Sequence, residues 1–138
     1  VDIVFLVGRI LLAAIFAFSA LGHFTQADGM AQYAAAKGVP AAKAGVLASG
    51  VIAVLAALSL VLGVWIDLGA LLLVVFLVPV SVLMHAFWKE TDPQVKQTEL
   101  ISFNKNLAII GGALILFYLV NTTQQVALGL TGPLFGAF

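Results

Sequence analysis

The chain has 138 residues, 63% hydrophobic and only 9% charged, with six basic and six acidic side chains and a formal net charge of zero. Soluble domains carry about 45–50% apolar and about 25% charged residues. A chain of this size also keeps roughly 30% of its unfolded-state surface exposed after folding, so the excess apolar surface requires lipid as its solvent. Sparse, balanced charge gives no footprint for nucleic acid. The absence of cysteine removes disulfides, iron–sulfur clusters, thiolate zinc sites and thiol catalysis.

Four apolar runs can each supply the ~20 residues that cross a bilayer. They predict one domain over 1–138, an all-α, integral membrane four-helix antiparallel bundle with spans at about 3–22, 41–63, 68–88 and 105–124 and a short interfacial helix in the first loop. The first run lacks a basic leader, and its apolar part exceeds the ~7–15 residues of a signal h-region, so it reads as a retained transmembrane helix. Arg9, Phe16 and His23 recur every seventh residue and share one helical face. Arg9 either snorkels to the head groups or turns inward to pair with another helix.

In the first connection, Asp28 is expected to cap a short surface helix ending near Lys37-Gly38, with Met30 and Tyr33 or Ala34 towards lipid. Gly45, Ser49, Ala53 and Ala57 give the second span a small-residue rhythm suited to close helix packing. Trp65 reads as an interfacial anchor and Asp67 as the N-cap of the third span. Pro79 removes one hydrogen bond from that span, and Ser81 and His85 follow it at i, i+4 spacing. Residues 89–103 read as a solvated loop. Gly111-Gly112 reads as a close-packing signal in the last span, and the apolar tail from Val126 is expected against the outer surface.

Lysines 37, 43, 89, 96 and 105 belong to the first and third loops and their edges, which by the positive-inside bias are cytoplasmic, leaving both termini extracytoplasmic. Arg9 and Asp67 then lie at one membrane level. A buried Arg9–Asp67 ion pair would explain an intramembrane arginine, since an unpaired charge there costs at least ~2.5–3.5 kcal/mol.

The antiparallel arrangement gathers His23, His85, Trp88, Asn104, Lys105 and Asn106 at the cytoplasmic end. These residues either stabilise the interface or form a ligand-binding pocket for a polar head such as a quinone ring, with Lys105 and the histidines donating and Trp88 or Phe87 stacking. Two histidines on different helices also suit haem ligation, although nothing in their spacing singles out haem. No metal site is predicted, because a two-histidine site would need carboxylates that only the loops supply. No nucleophile–base pair, phosphate-binding loop or paired carboxylate within a helix is present, so no catalytic residue is assigned and an autonomous enzyme is disfavoured.

Gly8-Arg9-Ile10-Leu11-Leu12 with Phe16, Lys37-Gly38-Val39-Pro40, the run from Gly50 to Gly63, His85-Ala86-Phe87-Trp88, and Lys105-Asn106-Leu107-Ala108-Ile109-Ile110-Gly111-Gly112 together resemble the DoxX-like membrane proteins, from Gly8 to Tyr118. The resemblance implies a small four-helix protein of the bacterial plasma membrane. Some relatives are subunits of a thiosulfate:quinone oxidoreductase, and others join membrane redox or oxidative-stress assemblies. Two positions depart from the family: Ala53 stands where many relatives carry glutamate, and His23 where lysine is common. The expected role is a subunit or accessory of a quinone-linked membrane complex, with other protein subunits and the lipid bilayer as partners. The alternatives are a non-catalytic scaffold or assembly protein, or a transport protein that binds small solutes or lipids.

Overall fold

The computed structural model describes residues 1–136. The helices are α1 (Asp2–Thr25), α2 (Ala27–Ala36), α3 (Ala42–Leu62), α4 (Ile66–Met84) and α5 (Pro93–Thr123), with a 3-10 turn at Phe87–Lys89 between the last two. Helices α1, α3, α4 and α5 are each long and apolar enough to cross a membrane. Helix α1 packs on α3, α3 on α4 and α4 on α5, while α2 lies against α3.

The apolar bulk points outward. Leu11, Phe18, Leu55, Leu58, Val75 and Ile115 are exposed, whereas Ala13, Ala20, Ala53, Ala56, Ala57, Ala70 and Ala113 form the core with Phe16, Leu60, Leu73 and Phe76. Small residues let helix backbones approach closely, which drives association in a solvent as apolar as the side chains themselves. Helices α1 and α3 approach closely at Gly50, where an added Cβ would sit 2.8 Å from the Cβ of His23. Gly45, Gly111 and Gly112 face open space, so the small-residue reading at those three positions is corrected.

Several local expectations change. Gln26, not Asp28, is the N-cap of α2, and Asp28 instead pairs at the surface with Lys43 at 2.8 Å. Ala31 and Ala34 of α2 are buried against the bundle, so of the residues expected to face lipid Ala34 faces inward, whereas Tyr33 is exposed. Trp65, with φ of 46°, is the N-cap of α4, and Asp67 lies in its first turn. Helix α4 stops at Met84, so His85 is its C-cap and not a helical residue one turn after Ser81. Helix α5 begins at Pro93, far ahead of Asn104. The Asp92 carboxylate accepts hydrogen bonds from the amides of Gln94 (2.8 Å) and Val95 (3.1 Å), and proline fits the first helical position. The expected solvated loop over 89–103 is therefore helical from residue 93. At 1.5 Å per residue α5 spans roughly 46 Å against a hydrocarbon layer of about 30 Å, so part of it stands outside the layer.

Arg9 does turn inward, but the expected Arg9–Asp67 ion pair does not form. Arg9 Nη1 and Nη2 donate to the carbonyls of Ala127 and Leu128, each at 3.0 Å. The Asp67 carboxylate accepts from the amides of Leu134 and Phe135, each at 2.8 Å. Both buried charges thus hold the C-terminal tail, whose irregular backbone offers the free carbonyls and amides that helices lack. The tail also donates from Leu130 and Thr131 to the carbonyls of Leu62 and Gly63. Gly63, with φ of 66°, closes α3, and an added Cβ there would collide with Gly129 of the tail and with Arg9.

Removing residues 126–138 leaves Arg9 and Asp67 buried without partners, a situation that costs about 3–5 kcal/mol for a broken buried pair. Thermal melting in detergent should fall steeply on truncation, and R9L plus D67L in the truncated chain should recover part of the loss. Equal melting of full and truncated chains would refute the clasp.

Candidate functional site

The end of the bundle opposite the tail is built by the C-terminal turn of α1, α2, the start of α3, the end of α4 and the first turns of α5. His23 lies in the last turn of α1 and is buried. Its Nδ1 is 2.8 Å from the carbonyl oxygen of Val46 and 3.0 Å from Ser49 Oγ. A carbonyl only accepts, so Nδ1 carries the hydrogen in the neutral ring. Ser49 donates its own proton to the same carbonyl at 2.9 Å. The His23 ring leans on Phe76, with centroids 5.7 Å apart.

His85 is held by a residue that the loop reading hid. Its Nδ1 lies 2.6 Å from Glu99 Oε2, and Glu99 Oε1 is 3.1 Å from Lys37 Nζ. Lys37 also donates to the Met84 carbonyl at 3.0 Å and to Glu90 at 3.3 Å, which satisfies all three of its hydrogens. Tyr33 reaches Glu99 with its hydroxyl at 3.4 Å. One lysine at the end of α2 thereby ties that helix to α4 and α5. Burial works against the Lys37 charge, but the neighbouring Glu99 and Tyr33 together outweigh it and hold its pKa above the ordinary value of 10.5.

These elements line a half-open cavity of about 830 Å³. Its walls are apolar, from Ile15, Phe16, Ile52, Val80 and Ile109 among others, with Met30, Tyr33 and Ala34 of α2 closing one side. Of the residues singled out in the sequence, His23, His85, Lys105 and Asn106 line it. Asn106 is buried and donates from Nδ2 to Ser81 Oγ at 3.1 Å, while Ser81 donates to the Leu77 carbonyl at 2.7 Å. Trp88 and Asn104 do not join them. The 3-10 turn directs Trp88 into a three-ring cluster with Phe87 (5.2 Å) and Phe103 (5.7 Å), and Asn104 is exposed on α5. Among the described residues no three metal-ligating side chains converge.

Lys37, Glu99, Tyr33 and Ser49 were not singled out. Asp92-Pro93 carried the missing signal, because a helix starting there places Glu99, Asn106, Ala113 and Val120 on one seven-residue repeat, and all four are buried.

Four apolar helices around a largely apolar interior, with buried polar groups partnered inside the chain, define a multi-pass integral membrane protein. Residues 4–86, more than half of the chain, match the family model described as DoxX. The chain belongs to the DoxX family. The match covers α1 to α4 and ends beside His85, so Asn106 and Glu99 on α5 lie beyond it. The chain matches no curated protein and no solved structure.

Glu99→Ala removes the partner of His85 and leaves Lys37 with only the Met84 carbonyl and Glu90, and should lower stability by about 1–3 kcal/mol. The double variant K37M/E99L should lose less than the sum of the single losses, read by melting in detergent. Because the folded-state pKa of Lys37 is raised, its stabilisation is complete below 10.5 and fades as pH rises through the higher folded value. That alkaline loss should be reduced in K37M, and an identical pH profile would contradict the latch.

Proposed function

We propose that this protein is a non-autonomous membrane subunit that holds the ring of a quinone-type lipid within a larger redox assembly. The observation that carries the reading is the cavity, largely apolar along its walls and with His23, His85, Lys105 and Asn106 among its lining. Its volume falls in the roughly 300–1,000 Å³ range of small-molecule sites, which bury apolar bodies and orient them with a few polar groups. The Ser49 hydroxyl beside His23 gives its proton to the Val46 carbonyl, and the facing ring nitrogen is itself committed there, so the pair is not poised as nucleophile and base, which supports binding and presentation over chemistry by this chain alone. Family resemblance supports the redox setting.

The setting includes an orientation in a bacterial plasma membrane, with the cavity end cytoplasmic and the tail extracytoplasmic. Lys37, Lys43, Lys89, Lys96 and Lys105 all belong to the cavity end. Arg9, the basic residue at the other end, is buried and committed to the tail, so it does not weigh against the bias as an exposed loop charge would.

Two measurements test this reading. Purification in mild detergent should retain oxidoreductase subunits in fixed stoichiometry, and a solitary homo-oligomer would count against the assembly. A cysteine at position 96 should resist membrane-impermeant labelling in intact cells; ready labelling would invert the topology.

A further inference from the structure

We infer that the cavity selects an amphipathic molecule whose ring bears a hydroxyl able to donate a proton, a phenol- or quinol-type head, over the corresponding carbonyl or ether. This rests on the cavity being a ligand site, as proposed above, and adds the chemical state of the ligand's head.

The argument turns on where the protons of the lining groups already go. His23 Nδ1–H is committed to the Val46 carbonyl, with Ser49 Oγ beside it. The other ring nitrogen, Nε2, is therefore a bare acceptor in the neutral ring. It has no hydrogen-bond partner among the described residues, yet it is not one of the sealed orphan atoms, which are Arg9 Nε and Asn121 Oδ1. His23 is otherwise buried and lines the cavity, so Nε2 opens onto that space.

Ser19 lies one turn before His23 on the same face of α1, also lines the cavity, and makes no hydrogen bond within the described protein. Its hydroxyl rotates to donate or accept. A ligand hydroxyl set between them donates to His23 Nε2 and accepts from Ser19. A carbonyl or ether oxygen satisfies only Ser19 and seals an unpaired lone pair on His23. An acceptor buried without a partner is worth more in discrimination than the bond it forgoes.

The other lining groups do not reverse this preference. His85 faces the Glu99 carboxylate with Nδ1, so in the neutral ring its Nε2 is an acceptor like that of His23, and the Gln26 amide offers both a donor and an acceptor. Ser49 and Ser81 have given their protons to the Val46 and Leu77 carbonyls. The Tyr33 hydroxyl is directed at Glu99. Asn106 keeps both a free Oδ1 and a second N–H and discriminates neither way. Lys105, a pure donor, is exposed at the mouth.

The test uses the full chain in lipid nanodiscs, with empty nanodiscs correcting for partition. The probes are 4-decylphenol, its methyl ether, and decyl-1,4-benzoquinone. The phenol should bind about tenfold more tightly than either of the others. H23L should abolish that preference, and S19A should narrow it. In the unmodified protein, the ¹⁵N resonance of His23 Nε2 should move on adding phenol and stay in place with the ether, a readout that does not depend on a variant folding. Equal binding of all three probes, a tighter quinone, or phenol binding without movement of the Nε2 resonance would overturn the hydroxyl preference and leave the proposed ligand site standing. Binding of none above empty nanodiscs would overturn both.

Discussion

With no water in the hydrocarbon layer, an ionic side chain inside it must find its partner within the chain. One cluster meets that requirement at the tail end of the bundle, a second stands at the edge of the layer at the other end, and the arrangement of the helices follows from them. At one end Arg9 and Asp67 take hold of the main chain of the tail. At the other, Glu99 accepts from Lys37 and pairs with His85, drawing α2, α4 and α5 together. Small residues along the helix faces allow the close packing, but they give little preference for one register over a neighbouring one. The charged clusters supply that preference, because a shift by one turn would leave a buried charge without its partner.

The cavity is a by-product of the same rules applied at one place. Gly50 brings α3 onto α1 at His23, closely enough that the imidazole reaches a main-chain carbonyl of α3 and becomes fixed in one orientation. Below that contact the two helices carry alanines, and the space that remains is lined by Phe16, Ile52, Phe76, Val80 and Ile109. Helix α2, drawn inward by Lys37, covers the opening where a free interfacial helix would have left it bare. Fixing His23 by its Nδ1 is also what turns its other nitrogen towards the space.

Hydropathy alone made the four spans and the buried face of α1 legible, because Arg9, Phe16 and His23 keep a seven-residue repeat that only one side of a helix can satisfy. The partners of the charged residues were harder to read. Opposite signs at one membrane level suggested Arg9 with Asp67, yet the tail's amides and carbonyls present no side chain from which a pairing could be read. Helix α5 hides its start for a related reason. Its first turns are polar because they stand beyond the hydrocarbon, and such polarity resembles a loop despite the Asp92-Pro93 capping signal. A loop there leaves Glu99 in solvent and conceals the partner of His85 and the inward pull on Lys37. Trp88 and Asn104 were placed by proximity along the chain, but the 3-10 turn after Met84 rotates Trp88 onto Phe103 and away from the cavity.

The two ends of the bundle differ in how their unmatched polar atoms are disposed, and that difference supports the proposed ligand site. At the tail end Arg9 Nε and, on α5, Asn121 Oδ1 lack partners but are sealed in protein. No ligand reaches them, so they are a structural cost of clasping an irregular tail. At the cavity end His23 Nε2 and Asn106 Oδ1 also lack partners, yet neither is sealed. Both belong to residues more than nine-tenths buried, so their access is to the interior space and not to the open surface. Polar atoms kept unmatched and reachable inside an apolar chamber gain nothing for folding. Their fit is to a molecule that completes them.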